Sequence, residues 1–199
     1  VKTLDFSKLK SDQLAVLSSE QIQLLSVSQI AAIGTDDLAG VATAQIRALS
    51  TAQLASLGTL QIASFTSTQI GAIATASISS LTTKQTVSIE SNDLAGLSTA
   101  QVAGFAAAQF AAMGTVQVAA LTSVQIAKIE TNDISSLTTA SIVSLNSVQV
   151  GVITTDQLGA LTTTQIAAVG TDDLAGLTTA QTEAITNAAK LIPVCYAPN

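Results

Sequence analysis

The chain has 199 residues, a formal net charge of −6, 10% charged and 3% aromatic residues, and it contains neither His nor Trp. Its seven Lys and Arg residues are scattered, which disfavours nucleic acid as a partner, and no apolar run approaches the roughly 18–20 residues of a membrane-spanning helix. Without His there is no Ser-His or Cys-His pair, and no phosphate-binding loop or dinucleotide motif occurs, so we expect neither catalysis nor a cofactor.

An eight-residue repeat begins at Val1 and runs to Ile192 without insertion or deletion, which makes 24 octads. The first octads are VKTLDFSK and LKSDQLAV, and the last are LTTAQTEA and ITNAAKLI. Position one is always apolar, position six is nearly always apolar, position three is mostly Ser or Thr, and position five is mostly Gln or Asp. The sequence therefore predicts one repeat domain over residues 1–192 and a non-repeat tail over residues 193–199.

The spacing of the apolar positions predicts one short helix in each octad. Apolar residues lie five and then three positions apart, and a spacing of three places them on one helix face, whereas a strand would place them two apart. Eight residues make about 2.2 turns of an α-helix, so in one continuous helix the apolar stripe would rotate around the axis. The chain must therefore bend once per octad.

A capping motif explains the bend. In LTTTQIAA, Thr162 and Gln165 fit the capping box, in which the hydroxyl accepts a backbone N–H and the amide side chain returns to the N–H of the cap. The same prediction applies to Thr122 and Gln125, Thr154 and Gln157, and Thr178 and Gln181. Since position three is more regularly Ser or Thr than position two, the cap could instead lie one residue later. Gln could also form ladders between coils or chains, although capping is the simpler interpretation.

These patterns predict an all-α solenoid, a superhelix of short helical turns with Leu and Ile in a thin core. Small residues at positions seven and eight allow successive coils to approach closely. The sequence leaves open whether two or three octads make one turn. The alternative is a β-solenoid, because Thr, Val and Ile also favour strands.

Four octads carry adjacent acidic or amide residues that are candidates for weak calcium binding through clustered oxygen atoms. These residues are Asp36 and Asp37, Asn92 and Asp93, Asn132 and Asp133, and Asp172 and Asp173. The simpler interpretation is that acids in the first turn of a helix favour the positive end of its dipole. Two adjacent acids are far from the six to eight oxygens that calcium takes, so we expect no metal.

A few residues depart from the usual composition of the repeat. Phe6, Phe65, Phe105, Phe110 and Met113 fall on apolar positions, so we expect them to fill the core. The single cysteine, Cys195, lies in the non-repeat tail. It could form an intermolecular disulfide, but the simpler prediction is a small residue in a segment that covers the last coil.

The stretches LSTAQLASL, LTSVQIAKI and LTTTQIAAV resemble the octapeptide arrays, of the form LTTAQIAAL, in very large secreted or surface proteins of bacteria. The resemblance covers nearly the whole chain and implies an extracellular, structural or adhesive context. It brings no catalytic residues with it. We therefore expect an extracellular scaffold module that extends a bacterial surface protein or self-associates into filaments, because few charges oppose association.

Two other functions follow from the same repeat. An adhesin segment could recognise a protein or glycan along a groove, although such surfaces usually carry aromatic or charged residues that interrupt the repeat. Rows of Thr at positions two and three could bind ice, which requires rigid coplanar threonines and is tied to the β-solenoid alternative.

Overall fold

The structure is a computed structural model that describes residues 10–174 and 176–190. Within these residues there are 20 α-helices and two 3-10 helices, and no strand. The predicted all-α solenoid is confirmed, and the β-solenoid alternative is wrong for the described part of the chain. The α-helices are α1 Ser11–Ala15, α2 Ser19–Gln23, α3 Val27–Ala31, α4 Thr35–Leu38, α5 Thr43–Ala48, α6 Thr51–Ala55, α7 Thr59–Ala63, α8 Ser67–Ala72, α9 Thr83–Ser88, α10 Thr99–Ala103, α11 Ala107–Ala112, α12 Thr115–Ala120, α13 Ser123–Ile126, α14 Thr131–Ile134, α15 Thr139–Val143, α16 Ser147–Gly151, α17 Thr155–Ala160, α18 Thr163–Ala168, α19 Thr171–Leu174 and α20 Thr179–Lys190; the 3-10 helices are Thr75–Ser80 and Ser91–Gly96.

Each helix begins at position three of its octad, and position two is the cap. Thr162 has extended backbone angles, φ −68° and ψ 156°, and Thr163 opens helix α18. At the other end of that helix, Val169 returns to extended angles, φ −66° and ψ 127°. The cap therefore lies at position two, which settles the ambiguity left by the sequence, and the extended pair at positions one and two makes the bend.

Two octads without Gln at position five form a 3-10 helix in place of an α-helix. Ser77 and Asp93 occupy that position in the two 3-10 helices, where no capping box forms. In the final octad the residue is Ala189, and the prediction of one short helix per octad is wrong there, because α20 runs through two octads. The Thr186 hydroxyl donates to the Thr182 carbonyl inside this helix, so it does not act as a cap.

One turn of the solenoid takes between three and four octads. Each helix packs mainly on the third helix after it, as α2 does on α5 and α12 on α15. Hydrogen bonds between coils join residues 23 to 31 positions apart, and those of the glutamines at position five recur at 28. The turn is therefore longer than the two or three octads considered from the sequence.

The core is a spine of side chains from positions one and six. Leu94 and Leu97 are buried in this spine, and Phe105 and Phe110 pack edge to face with ring centroids 5.7 Å apart. Phe65 and Met113 are buried as predicted. Each buried Leu, Ile or Phe supplies about 1.5–3 kcal/mol, so stability depends on contacts that only neighbouring coils provide.

Glycines allow two coils to touch through their backbones. A Cβ at Gly71 would lie 2.3 Å from the carbonyl oxygen of Gly96, and one at Gly96 would lie 2.2 Å from the carbonyl oxygen of Ser67. Side chains at these positions would force helix α8 away from the 3-10 helix above it. The small residues at positions seven and eight therefore set the coil separation here.

Candidate functional site

The repeated structural site of this chain is the glutamine at position five. The Gln125 side chain is 2% exposed and lies between two coils. Its Oε1 accepts from the backbone N–H of Thr122 at 2.8 Å, which completes the cap of its own helix. Its Nε2 donates to the carbonyls of Leu94 at 2.9 Å and Leu97 at 2.7 Å in the preceding coil. One side chain thus caps the N-terminus of its own helix and ties that helix to the coil below.

We call this set of side chains the glutamine ladder. In each, Oε1 accepts from the N–H of position two of the same octad, and Nε2 donates to a carbonyl 28 residues earlier. The members are Gln45, Gln53, Gln61, Gln69, Gln85, Gln101, Gln109, Gln117, Gln125, Gln149, Gln157, Gln165 and Gln181.

The ladder satisfies backbone groups that such short helices leave unpaired. A helix leaves about four N–H groups and four C=O groups without partners at its ends, and a five-residue helix such as α10 has little else. The carbonyl of Leu97 receives its donor from Gln125. Among the described residues, no buried side-chain nitrogen or oxygen lacks a hydrogen-bond partner.

The predicted capping pairs lie within hydrogen-bonding distance of each other. Gln165 accepts from the Thr162 N–H at 2.7 Å, and its own N–H donates to the Thr162 hydroxyl at 3.2 Å. The other three pairs make the same two bonds, namely Thr122 with Gln125, Thr154 with Gln157, and Thr178 with Gln181. The sequence suggested capping and a ladder as alternative roles for Gln, with capping the simpler one. In the structure, the same glutamine does both.

The aspartates at position five make the opposite contact. Asp37 accepts from the N–H of Ser11, the first residue of helix α1, at 3.1 Å. Asp93 and Asp133 lie near the corresponding N–H groups, those of Ser67, where α8 begins, and Ala107, where α11 begins, and each N–H lowers the pKa of the carboxyl beside it. Each carboxylate therefore lies at the positive end of a helix in the preceding coil, a position that stabilises negative charge.

Two of these aspartates are nevertheless harder to ionise than usual. Partial burial and then the nearby Glu90 raise the pKa of Asp93, and the Ser67 N–H lowers it by less. Burial and then Glu130 raise the pKa of Asp133 in the same way. These two aspartates therefore lie next to the coil below although burial and a neighbouring glutamate disfavour their ionised form.

The calcium candidates are distributed over separate octads. Asp36, Asn92 and Asn132 are exposed at position four, while their neighbours Asp37, Asp93 and Asp133 point to the preceding coil. No group of three or more His, Cys, Asp or Glu residues that could hold a metal ion occurs in the part of the chain that the structure describes. Asp173 is half-buried, whereas the Asp172 side chain, Phe6, Cys195 and the tail 193–199 lie outside what is described.

Two shallow depressions lie on the surface of the described residues. The larger, of about 440 Å³, lies between coils against Arg47, Gly71, Thr75 and Ser98. A second, of about 310 Å³, lies against Thr59, Lys84 and Val87, among others. No helix in the described ranges is both long and apolar enough to cross a membrane.

The absence of Glu at position five is a feature of the sequence that predicts the ladder. Glutamate caps a helix as well as glutamine does, yet no octad has Glu at position five. Of these two side chains, only the amide of Gln can both accept from the N–H of the cap and donate to carbonyls. The exclusion of Glu therefore indicates that the NH₂ group has acceptors of its own.

Short capped helices, an aliphatic spine and a side-chain ladder between coils define an α-solenoid repeat protein. Its octads place it in a particular family. The chain belongs to the ALTTAQ repeat family, whose model matches residues 30–67, 86–123 and 126–163, more than half of the sequence. No curated protein matches the chain.

Proposed function

We propose that this chain is a non-catalytic structural module, a rod of defined length within an extracellular scaffold or filament of a bacterial surface. The glutamine ladder is the observation that carries the proposal. Each Gln fixes the distance between its own coil and the one below through bonds of 2.6 to 2.9 Å to a carbonyl 28 residues earlier. The side chains that the repeat preserves thus serve the spacing of coils.

The proposal also rests on how a solenoid grows. The octads of the glutamine ladder repeat the same contacts, so adding such octads lengthens the rod without altering the coils already present. The bacterial and extracellular part is supported by the resemblance of LTSVQIAKI and LTTTQIAAV to arrays in very large secreted or surface proteins. The low proportion of charged residues, 10%, supports the assembly part, because little electrostatic repulsion opposes association.

A length series tests the rod. Duplicating residues 97–152, which are seven complete octads, adds about two coils, and helices pack about 8–10 Å apart, so the rod gains about 16–20 Å. Small-angle X-ray scattering would measure this as a longer maximum dimension with an unchanged cross-section. Growth of the cross-section instead of the length would contradict the proposal.

Electron microscopy tests the filament version separately. Purified chain should form end-to-end or lateral assemblies as its concentration rises. If only dispersed single rods are seen at every concentration, the filament version fails, while the length series still decides whether the chain is a spacer.

A further inference from the structure

The glutamine ladder is interrupted once over two successive octads. Position five is Asp133 in the first of these octads and Ser141 in the next, so no ladder glutamine lies between Gln125 and Gln149. Elsewhere along the ladder, octads without Gln occur singly. The interruption spans most of one coil, because a turn takes between three and four octads. We call the contact between residues 129–144, which make up the two octads, and the coil below them the seam.

Two backbone carbonyls at the seam lack the donor that the ladder supplies elsewhere. A ladder glutamine donates to the carbonyl 28 residues earlier, and at the seam those carbonyls belong to Phe105 and Met113. Neither carbonyl accepts a hydrogen bond from a described residue. The carbonyls of Leu97 and Leu121, on either side, accept from ladder glutamines at 2.7 and 2.6 Å. The seam therefore lacks bonds that the neighbouring octads have.

The side chains at position five do not replace these bonds. Ser141 is fully buried, but its Oγ lies 2.8 Å from the Thr138 Oγ1 of its own octad and makes no hydrogen bond to the coil below. The ionised carboxylate of Asp133 has no hydrogen to donate, and it lies near the N–H of Ala107 instead. Neither side chain therefore donates to a carbonyl of the coil below.

The contacts that remain across the seam are weaker than the ladder. The hydroxyl of Ser144 donates to the Thr115 carbonyl at 3.1 Å, but it also lies 2.7 Å from the Ser141 carbonyl. A hydroxyl has one hydrogen, so it is shared between these two acceptors. Ile134 and Ile142 are buried in the spine, and apolar contacts of this kind are non-directional. The seam is thus held closed mainly by packing.

The seam lies between two parts of the solenoid in which the ladder is continuous. These parts carry Gln101, Gln109, Gln117 and Gln125 before the interruption, and Gln149, Gln157 and Gln165 after it. In a solenoid each coil contacts only its neighbours, so stability is a sum of local contributions. A contact with fewer hydrogen bonds therefore opens at a lower free energy than the laddered contacts beside it.

We propose that the seam is a hinge, at which the solenoid opens before the laddered coils on either side of it. Octad 121–128 is the pivot, because Gln125 ties it to the coil below and Gln149 ties it to the coil above. Opening separates residues 105–120 from residues 129–144, whose short helices then lose contacts that keep them folded. Under tension, the rod bends or lengthens at this one place. Only this last consequence rests on the structural function proposed above.

Hydrogen exchange of the full chain, measured by mass spectrometry, tests the hinge. After correction for intrinsic rates, amides of residues 105–120 and 129–144 should exchange about tenfold or more faster than those of octads 97–104 and 121–128. These two octads are the matched reference, because each donates to the coil below through its Gln and accepts at position one from the coil above. Fraying from either end of the rod cannot produce this pattern, since fast and slow segments alternate along the chain.

Filling the interruption should close the hinge. In the double variant Asp133→Gln and Ser141→Gln, each introduced amide can donate to the carbonyl 28 residues earlier. Exchange of residues 105–120 and 129–144 should then slow to the rate of the reference octads. Ser77→Gln is the matched control, because it makes the same change at position five of an octad in another coil. It should leave the exchange of both segments unchanged.

Equal exchange in all these segments of the wild-type chain would overturn the proposal, and this comparison needs no variant. A double variant that keeps its circular dichroism spectrum but exchanges as fast as the wild type would also overturn it, and so would equal slowing by Ser77→Gln. If the double variant loses its helical spectrum, Ser141→Gln alone should still slow the exchange of residues 129–144 by about threefold or more, and an unchanged rate would refute the hinge. None of these results depends on the length series, so the hinge and the rod fail independently.

Discussion

The glutamine ladder predicts a large and pH-dependent cost for one conservative substitution, Gln125→Glu. The carboxylate can still accept from the Thr122 N–H, but it cannot donate to the carbonyls of Leu94 and Leu97. A buried charge would then face two carbonyl oxygens. We expect a loss of about 3–5 kcal/mol in the free energy of unfolding at pH 7, the usual cost of an uncompensated buried charge.

The pH dependence of this loss distinguishes the cost of the buried charge from the cost of the lost hydrogen bonds. Burial and the two carbonyls raise the folded-state pKa of the introduced carboxyl above its unfolded value of about 4.3. The cost is therefore complete above that raised value and is relieved as the pH falls through it, when the protonated acid recovers one donor. Gln125→Met removes the same bonds without a titratable group, so its loss of about 2–4 kcal/mol should not change between pH 7 and pH 5.

Urea denaturation followed by far-ultraviolet circular dichroism measures all variants at both pH values. Gln21→Glu is the matched control, since Gln21 is exposed, accepts from the Ser18 N–H at 2.7 Å, and makes no hydrogen bond to another coil among the described residues. We expect it to change stability by less than about 0.5 kcal/mol, as for most surface substitutions. Equal losses for Gln125→Glu and Gln21→Glu, or a loss for Gln125→Glu that acid does not relieve, would refute the reasoning.

Three further predictions concern packing and charge. Gly71→Ala should lower the free energy of unfolding by about 1–3 kcal/mol, because the added methyl group meets backbone atoms of the next coil. Gly159→Ala, in open space within a helix, should raise it by about 0.5–1 kcal/mol. Thermal unfolding of both variants measures the difference. Phe110→Ala should cost about 3–5 kcal/mol by leaving a cavity in the spine, which denaturant titration measures, and a loss below about 1 kcal/mol would contradict that packing. Since the folded-state pKa of Asp93 is raised, its charged form costs stability at neutral pH, and that cost is relieved as the pH falls through the folded pKa. Asp93→Asn should therefore raise the unfolding temperature at pH 7, with the gain shrinking towards pH 4, and an equal gain at both pH values would contradict this.

Local patterns were sufficient to predict the helices and the core. The apolar spacing of five and three, and the capping pair of Thr162 and Gln165, depend on residues within one octad, so the sequence displays them directly. Both the helical class and the burial of Phe65, Phe105 and Phe110 follow from such short-range patterns.

Contacts between coils were harder to predict, because they join residues 23 to 31 positions apart. The turn length depends on how closely backbones approach, for example at Gly71 and Gly96, and nothing within one octad expresses that distance. The role of Asp37 was missed for the same reason, since its partner is the N–H of Ser11 in another coil. The merging of the last two octads in α20 was, by contrast, visible locally in the replacement of Gln by Ala189.

The two kinds of residue at position five have complementary effects on the short helices. Gln125 donates to the carbonyls of Leu94 and Leu97 in the coil below, while Asp37 accepts from the Ser11 N–H that begins α1. A helix of about five residues is too short to be stable alone, so its backbone groups depend on side chains from another coil. The backbone groups of an octad are thus fully paired only when the coil above it has folded. The cooperative folding unit is therefore larger than one repeat. This explains why the repeat maintains the spacing of coils rather than the stability of any single helix.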